Sequence, residues 1–139
     1  MRIIAIDYGR KRCGVAVTDP LQITANSLPV VRTCDLLEFL KDYCAAEKVE
    51  RILVGEPKRM NGEESESMRY IRPFLGKLKR ELPAIPVEMV DERFTSVIAH
   101  RDMLVAGFKK SDRQRRGLAD EMSATIILNT WLESRSFPK

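Results

Sequence analysis

Two short apolar runs, RIIAI (2–6) and CGVAVT (13–18), flank the turn DYGRKR, and after Arg32 helical-period stretches separate the remaining apolar runs. This alternation constrains the fold more than any other feature. RIIAI and CGVAVT read as a hairpin of buried strands across a Gly-containing turn. SLPVVR (27–32) reads as a third strand, and Pro29 favours an edge or irregular position because proline donates no ladder hydrogen bond. Leu36, Leu37, Leu40, Tyr43 and Cys44 recur at helical spacing and predict an amphipathic helix from about Asp35 to Glu47. RILVG (51–55) is a fourth strand. Glu63 to Glu81 is helix-like, with Met68, Ile71, Leu75 and Leu78 on one face and Pro73 as a candidate kink. PVEMV (86–90) is a fifth strand. Thr95 is placed to cap a helix to about Val105. A last helix runs from the Gly117 region to about Glu133, with Ser111-x-x-Gln114 as an alternative capping box at its start. The order β-β-β-α-β-α-β-α-α predicts an α/β fold. It is one mixed five-stranded sheet, antiparallel in its opening strands and parallel later, with helices on both faces.

The bulk numbers fit one soluble domain over residues 1–139. Apolar residues make up 44% and charged residues 32%, and no apolar stretch reaches the roughly 20 residues that span a bilayer. The first apolar run is too short and too soon interrupted for a signal peptide. Cys13, Cys34 and Cys44 are odd in number and lack CxxC spacing, so neither a disulfide framework nor a zinc site is indicated. A reducing cytoplasm is the expected setting.

Three of the predicted strands meet acids at their ends: RIIAI meets Asp7, RILVG meets Glu56, and PVEMV meets Asp91-Glu92. In sheets with crossover helices, ligands bind beyond the carboxyl ends of the strands. Acids gathered on one rim repel unless a cation or proton offsets them. Hard oxygen donors of this kind suit magnesium or manganese. Asp120 shares a helical stripe with Ala124, Ile127, Leu128 and Trp131, so it heads an apolar face turned toward the sheet. Simpler roles compete: Asp7 as a turn cap, Asp120 as an offset to the helix dipole, Asp91-Glu92-Arg93 as a surface ion cluster, and Glu56 as a solvated loop acid. Asp91 and Glu92 cannot both point the same way on an extended backbone, and spacing alone does not choose between them.

The net charge of +4 is mild, but its distribution is uneven. Arg10, Lys11 and Arg12 form one knot, and KKSDRQRR (109–116) carries five cations against one acid. Such patches attract phosphate-rich partners by counterion release; a solvated, solubilising loop is the competing reading.

The residues then show a pattern across nearly the whole chain. DYGRKRCGVAVTD carries D-x-G-x-x-R-x-G-x-A at Asp7, Gly9, Arg12, Gly14 and Ala16. GEPKRMNGEES carries Gly55, Pro57, Asn61 and Gly62 of a G-x-P-x-x-x-x-G stretch. VDERFTS and LADEMSATIIL complete the series in order. These motifs resemble the YqgF (RuvX) family of Holliday junction resolvases, also described as pre-ribosomal-RNA nucleases. The resemblance implies an RNase H-like fold and puts the metal-site acid on Glu92, with Asp7 and Asp120 as partners. Two positions depart from the pattern. Glu56 stands where an apolar residue is common, and Gln22 stands where a glycine often follows DPL.

The expected activity is therefore magnesium- or manganese-dependent hydrolysis of phosphodiester bonds, with Asp7, Glu92 and Asp120 as catalytic and metal-holding acids. The candidate phosphate contacts are Arg10, Lys11, Arg12, Lys58, Asn61, Arg93, Thr95, Lys109, Lys110 and Arg113. No Ser-His-Asp or Cys-His arrangement can be assembled, and His100 reads as a helix-face residue. Aromatics at 6% argue against base stacking as the main contact. The expected partner is structured nucleic acid, foremost the precursor of 16S ribosomal RNA, and no membrane. The runner-up is resolution of branched DNA, which normally needs a dimer; no apolar dimer stripe is evident, so a monomer or weak homodimer is expected. A non-catalytic nucleic-acid module and an actin-type ATP-binding domain complete the rivals. For the latter the chain is short and lacks a second phosphate hairpin.

Overall fold

The structure, a computed structural model, describes residues 1–56, 66–91 and 116–136, with the backbone alone at 91, 116–122 and 134–136. Strands β1 (Arg2–Asp7), β2 (Arg12–Thr18) and β3 (Ala25–Arg32) lead through a 3-10 turn (Thr33–Asp35) into α1 (Leu36–Ala46). Then follow β4 (Val49–Glu56), α2 (Met68–Glu81), β5 (Val87–Asp91) and α3 (Arg116–Ser136). Each matches an element the sequence predicts, with small boundary shifts; the predicted Thr95–Val105 helix and the Ser111–Gln114 box lie outside the described residues.

The sheet order is β3-β2-β1-β4-β5. β1 pairs antiparallel with β2 and parallel with β4, and β4 pairs parallel with β5. β3 is an edge strand, where Pro29 costs the ladder least. β1 is central and covered on both faces, which is why Ile3, Ile4, Ala5 and Ile6 form an unbroken apolar run and are all fully buried.

Alternation along the strands divides the core in two. Ile4, Ile6, Val15, Ile52 and Val54 pack with Leu36 and Leu40 of α1 and with Ile71, Phe74 and Leu78 of α2. Ile3, Ala5, Ala16 and Leu53 pack with Ala124, Ile127 and Leu128 of α3. Small residues on both sides of the second layer let α3 lie close to the sheet. A bulge at Glu50, between the pairs Arg2↔Val49 and Ile3↔Arg51, shifts the alternation of β4. Val49 therefore joins the α1/α2 layer, whereas Arg51 reaches Trp131 of α3.

Gln22 takes φ 59, the left-handed region that favours glycine. Its side-chain amide donates to the Met1 carbonyl at 2.9 Å and to Glu50 at 3.1 Å, which holds the strained turn. The glycine expected at this point by the family pattern is thus replaced by a residue that compensates through its side chain. Cys13, Cys34 and Cys44 are free. Among the described residues no helix is long and apolar enough to cross a membrane.

Candidate active site

Because β1, β4 and β5 are parallel and adjacent, their carboxyl ends share one rim. The acids expected just beyond these strands are in fact the last strand residues: Asp7, Glu56 and Asp91. Glu56 and Asp91 are direct register partners, and Gly55 precedes them opposite Val90. Neighbouring strands lie about 4.8 Å apart, so acidic residues end adjacent strands side by side.

The rim has two faces, and these separate the acids. Asp7 continues the alternation of Ile3 and Ala5 and so lies on the α3 face, partly buried. Glu56 continues that of Ile52 and Val54 and lies on the α1/α2 face. Glu56 is therefore a rim neighbour of Asp7 across the sheet, rather than a member of the same side-chain cluster.

Helix α3 has a defined direction across the sheet. The indole Nε1 of Trp131 donates to Glu88 at 3.2 Å, and the Arg51 guanidinium lies 5.7 Å from the centre of that ring. Both contacts are toward the amino ends of β4 and β5, which places the carboxyl-terminal part of α3 at that end of the sheet. From position 131 back to 120 the helix rises about 16 Å. From Ile3, the register partner of Arg51, to Asp7 the strand rises about 13 Å. The helix is thus long enough for residue 120 to reach the level of Asp7, on the same face of the sheet.

Of the three expected acids, Asp7 alone has a described side chain. Glu92 lies outside the described residues, as do Lys58, Asn61, Arg93, Thr95, Lys109, Lys110 and Arg113. Among the described residues no three His, Cys, Asp or Glu side chains gather closely enough to hold a metal ion.

The basic turn beside Asp7 is firmly built. The Thr33 hydroxyl donates to the Gly9 carbonyl at 2.6 Å, and the Thr33 N–H donates to the Lys11 carbonyl at 3.0 Å. A Cβ on Gly9 would collide with the Arg12 carbonyl oxygen, so the turn requires glycine there on steric grounds. The Cys13 thiol sits 3.4 Å from the Thr33 hydroxyl. Tyr8 packs on Phe74 with ring centres 5.0 Å apart. Burial, with the Cys13 thiol adding to it, pushes the Tyr8 phenol above its ordinary pKa.

The three cations on this turn face different ways. Arg12 shares the alternation of Gly14 and Ala16, which puts it on the α3 face with Asp7. Arg10 lies 4.5 Å from the centre of the Tyr70 ring on α2. Lys11, between them, is exposed. The register adds a residue that strand spacing in the sequence did not single out: Arg32 of β3 is the cross-strand partner of Arg12. Like charges directly opposite in a sheet are destabilising. The signal lay in the two strands meeting with an arginine at each end, but it needed the hairpin register to be seen.

The chain matches the RuvX family, described as Holliday junction resolvase, over residues 1–134. It belongs to that family. A relative in Bacteroides thetaiotaomicron, named "Putative pre-16S rRNA nuclease", is 61% identical over 98% of this chain and 99% of its own length. A relative of the same name in Porphyromonas gingivalis is 56% identical over 96% of each chain. The solved structure of T. thermophilus RuvC in complex with Holliday junction substrate aligns with a TM-score of 0.61 at 17% identity, covering 98% of this chain and 96% of that one. That likeness bears on the fold, and it agrees with the RNase H-like arrangement expected from the family motifs. The family match takes in all four motifs and every expected site residue.

Proposed function

We propose that this chain is a divalent-metal-dependent endonuclease that cuts structured RNA, with the precursor of 16S ribosomal RNA as its substrate. Asp7, Glu92 and Asp120 are the acids that would hold the metal. The observation that carries the reading is the shared face: Asp7 ends the central strand on the side where α3 returns to the rim. The names of the relatives supply the substrate class.

The donor chemistry fits a hard cation. Asp7 is a partly buried acid on the α3 face, a hard oxygen donor of the kind that suits magnesium or manganese. In β5, Glu88 and Val90 both meet the α3 side, and Glu92 is the next even-numbered residue of the sequence. The choice of Glu92 over Asp91 is the one the family pattern makes. When bound, a magnesium or manganese ion supplies Lewis-acid activation of water and neutralises charge developing on the phosphate.

The remaining work falls to the chain itself. Arg12 and Arg32 present two cations on the Asp7 face, where phosphate oxygens can contact both. Thr33 and Gly9 hold the turn so that these cations need little rearrangement on binding. Tyr8, a phenol that is protonated at neutral pH, remains a donor and adds no further negative charge to the rim.

The test is magnesium-dependent cleavage of a labelled 16S precursor fragment and of a labelled four-way DNA junction, by wild type and Asp7→Asn. The expected result is cleavage of the RNA that falls at least about 100-fold in Asp7→Asn. Equal cleavage by both proteins overturns the metal site. The family description favours a second reading, junction resolution, and preferential symmetric cutting of the DNA junction would select it. Tight binding without cleavage of either substrate would leave a non-catalytic binding module.

A further inference from the structure

The largest excess of positive charge on any described helix or strand lies in neither of the basic knots evident in the sequence. Helix α2, MRYIRPFLGKLKRE, carries Arg69, Arg72, Lys77, Lys79 and Arg80 against the single acid Glu81. Five cations and one acid leave this 14-residue helix at +4, equal to the net charge of the whole chain. All five cations are exposed. Glu81 is engaged elsewhere, 3.6 Å from Lys41 of α1.

The helical arrangement gives this charge a shape. Met68, Ile71, Phe74 and Leu78 are buried against the sheet, so the opposite midline runs through Arg69, Pro73, Gly76 and Arg80. Arg72 and Lys79 lie along one flank. A Cβ added at Gly76 would meet nothing within 4 Å, and Pro73 carries no long side chain. The outward face is therefore a shallow trough, low in the middle and bordered by cations at both ends and along one side. Between Arg69 and Arg80 it extends about 16 Å.

The trough is continuous with the basic turn. Arg10 of that turn stacks on Tyr70, and Tyr8 stacks on Phe74, so the amino end of α2 abuts the carboxyl rim. Arg12 and Arg32 hold the Asp7 face of the rim, Lys11 stands at its crest, and Arg10 leads over to α2. Like-charged residues three apart on one helix, such as Lys77 and Arg80, cost stability in the free protein. A row of phosphates would relieve that cost, and would fit a floor with no projecting side chain.

Building on the nuclease reading, we infer that the α2 trough binds the phosphodiester backbone of the substrate on one side of the cut. The strand to be cut lies on the Asp7 face, crosses the rim at Arg10–Arg12, and its flank descends along α2. The enzyme thus recognises a length of backbone beyond the scissile bond.

The test combines Arg69→Gln, Lys79→Gln and Arg80→Gln, all exposed positions whose replacement leaves the buried face of α2 intact. Binding of a structured 16S-precursor RNA is measured without added divalent cation across a salt series, with thermal melting as the fold control. The triple variant is expected to lower the slope of log K against log salt by about 2–3, about one per lost phosphate contact. Trimming the RNA on one side of the cut should abolish the difference between variant and wild type, and trimming the other side should preserve it. An unchanged slope overturns the trough, as does a difference that survives trimming on both sides. A wild type that binds in this manner but cuts no RNA in magnesium refutes the nuclease reading and leaves the trough standing. A wild type that cuts, with a variant that binds like it, does the reverse.

Discussion

The two rims of the sheet handle charge in opposite ways. At the amino rim, charged side chains lie beside opposite charges or hydrogen-bond partners, although the Nε atoms of Arg2 and Arg51 are buried without a hydrogen bond. Arg2 lies 3.5 Å from Glu47, and Arg51 lies 2.9 Å from Glu88, which also accepts from Trp131. Asp19 accepts from the backbone N–H groups of Leu21, Ile23 and Thr24, and Gln22 bonds Glu50. At the carboxyl rim, the register sets like beside like: Glu56 next to Asp91, and Arg12 next to Arg32. Matched charges stabilise the fold from within, whereas like charges placed directly opposite each other in a sheet work against it. On the reading proposed above, the second rim is where a cation held at Asp7 and a phosphate chain would bind.

Substitutions at the two rims should therefore separate stability from activity. The largest effect is expected at Asp7. Asp7→Asn should lose at least about 100-fold in cleavage while melting within a few degrees of wild type, as followed by gel assay and calorimetry. Next is the amino rim, where the fully buried Thr18 hydroxyl accepts from the Ile3 N–H at 2.9 Å. Thr18→Val leaves that N–H without its acceptor and should destabilise by about 1–3 kcal/mol in a denaturant titration, with cleavage at wild-type rates. Arg32→Gln should act in the contrary sense. Removing one of two opposed cations should stabilise the protein by roughly 0.2–1 kcal/mol while weakening RNA binding and lowering its salt slope by about one. A loss of stability in that variant would break the comparison.

The smallest effect concerns acid. The N–H groups of Thr24 first, then Ile23 and Leu21, hold the Asp19 carboxylate below its ordinary pKa. A carboxylate with a depressed folded-state pKa contributes stability that is full above its unfolded value and is lost as pH falls through the folded one. Asp19→Asn should therefore flatten the acid limb of the stability–pH curve below about pH 4 and leave neutral-pH cleavage alone.

Much of this was readable along the chain because it depends on local period. The unbroken run RIIAI marked a strand covered on both faces, and the spacing of Ile71, Leu75 and Leu78 marked α2. Pro29 marked an edge. Asp7 stood out because a carboxylate closes a buried strand. What escaped depends on long-range register. The face of Glu56 is fixed by which helices pack on alternate residues of β4. Arg32 gained meaning from its pairing with Arg12, some twenty residues away in sequence. The cations of α2 are interrupted by Ile71, Phe74 and Leu78, so they form no run in the sequence and converge only on the helix surface. Spacing also left Asp91 and Glu92 equal, and it was the family pattern that separated them.

The central claim is that the carboxyl rim is completed by a cation held at Asp7. Thermal melting with and without magnesium, for wild type and Asp7→Asn at fixed ionic strength, tests it most directly. A cation bound to the native state raises its melting temperature by linkage. Magnesium at about ten times its Kd should raise the wild-type melting temperature by roughly 5 °C and leave Asp7→Asn unmoved. An equal rise in both proteins, or none in either, would contradict the account.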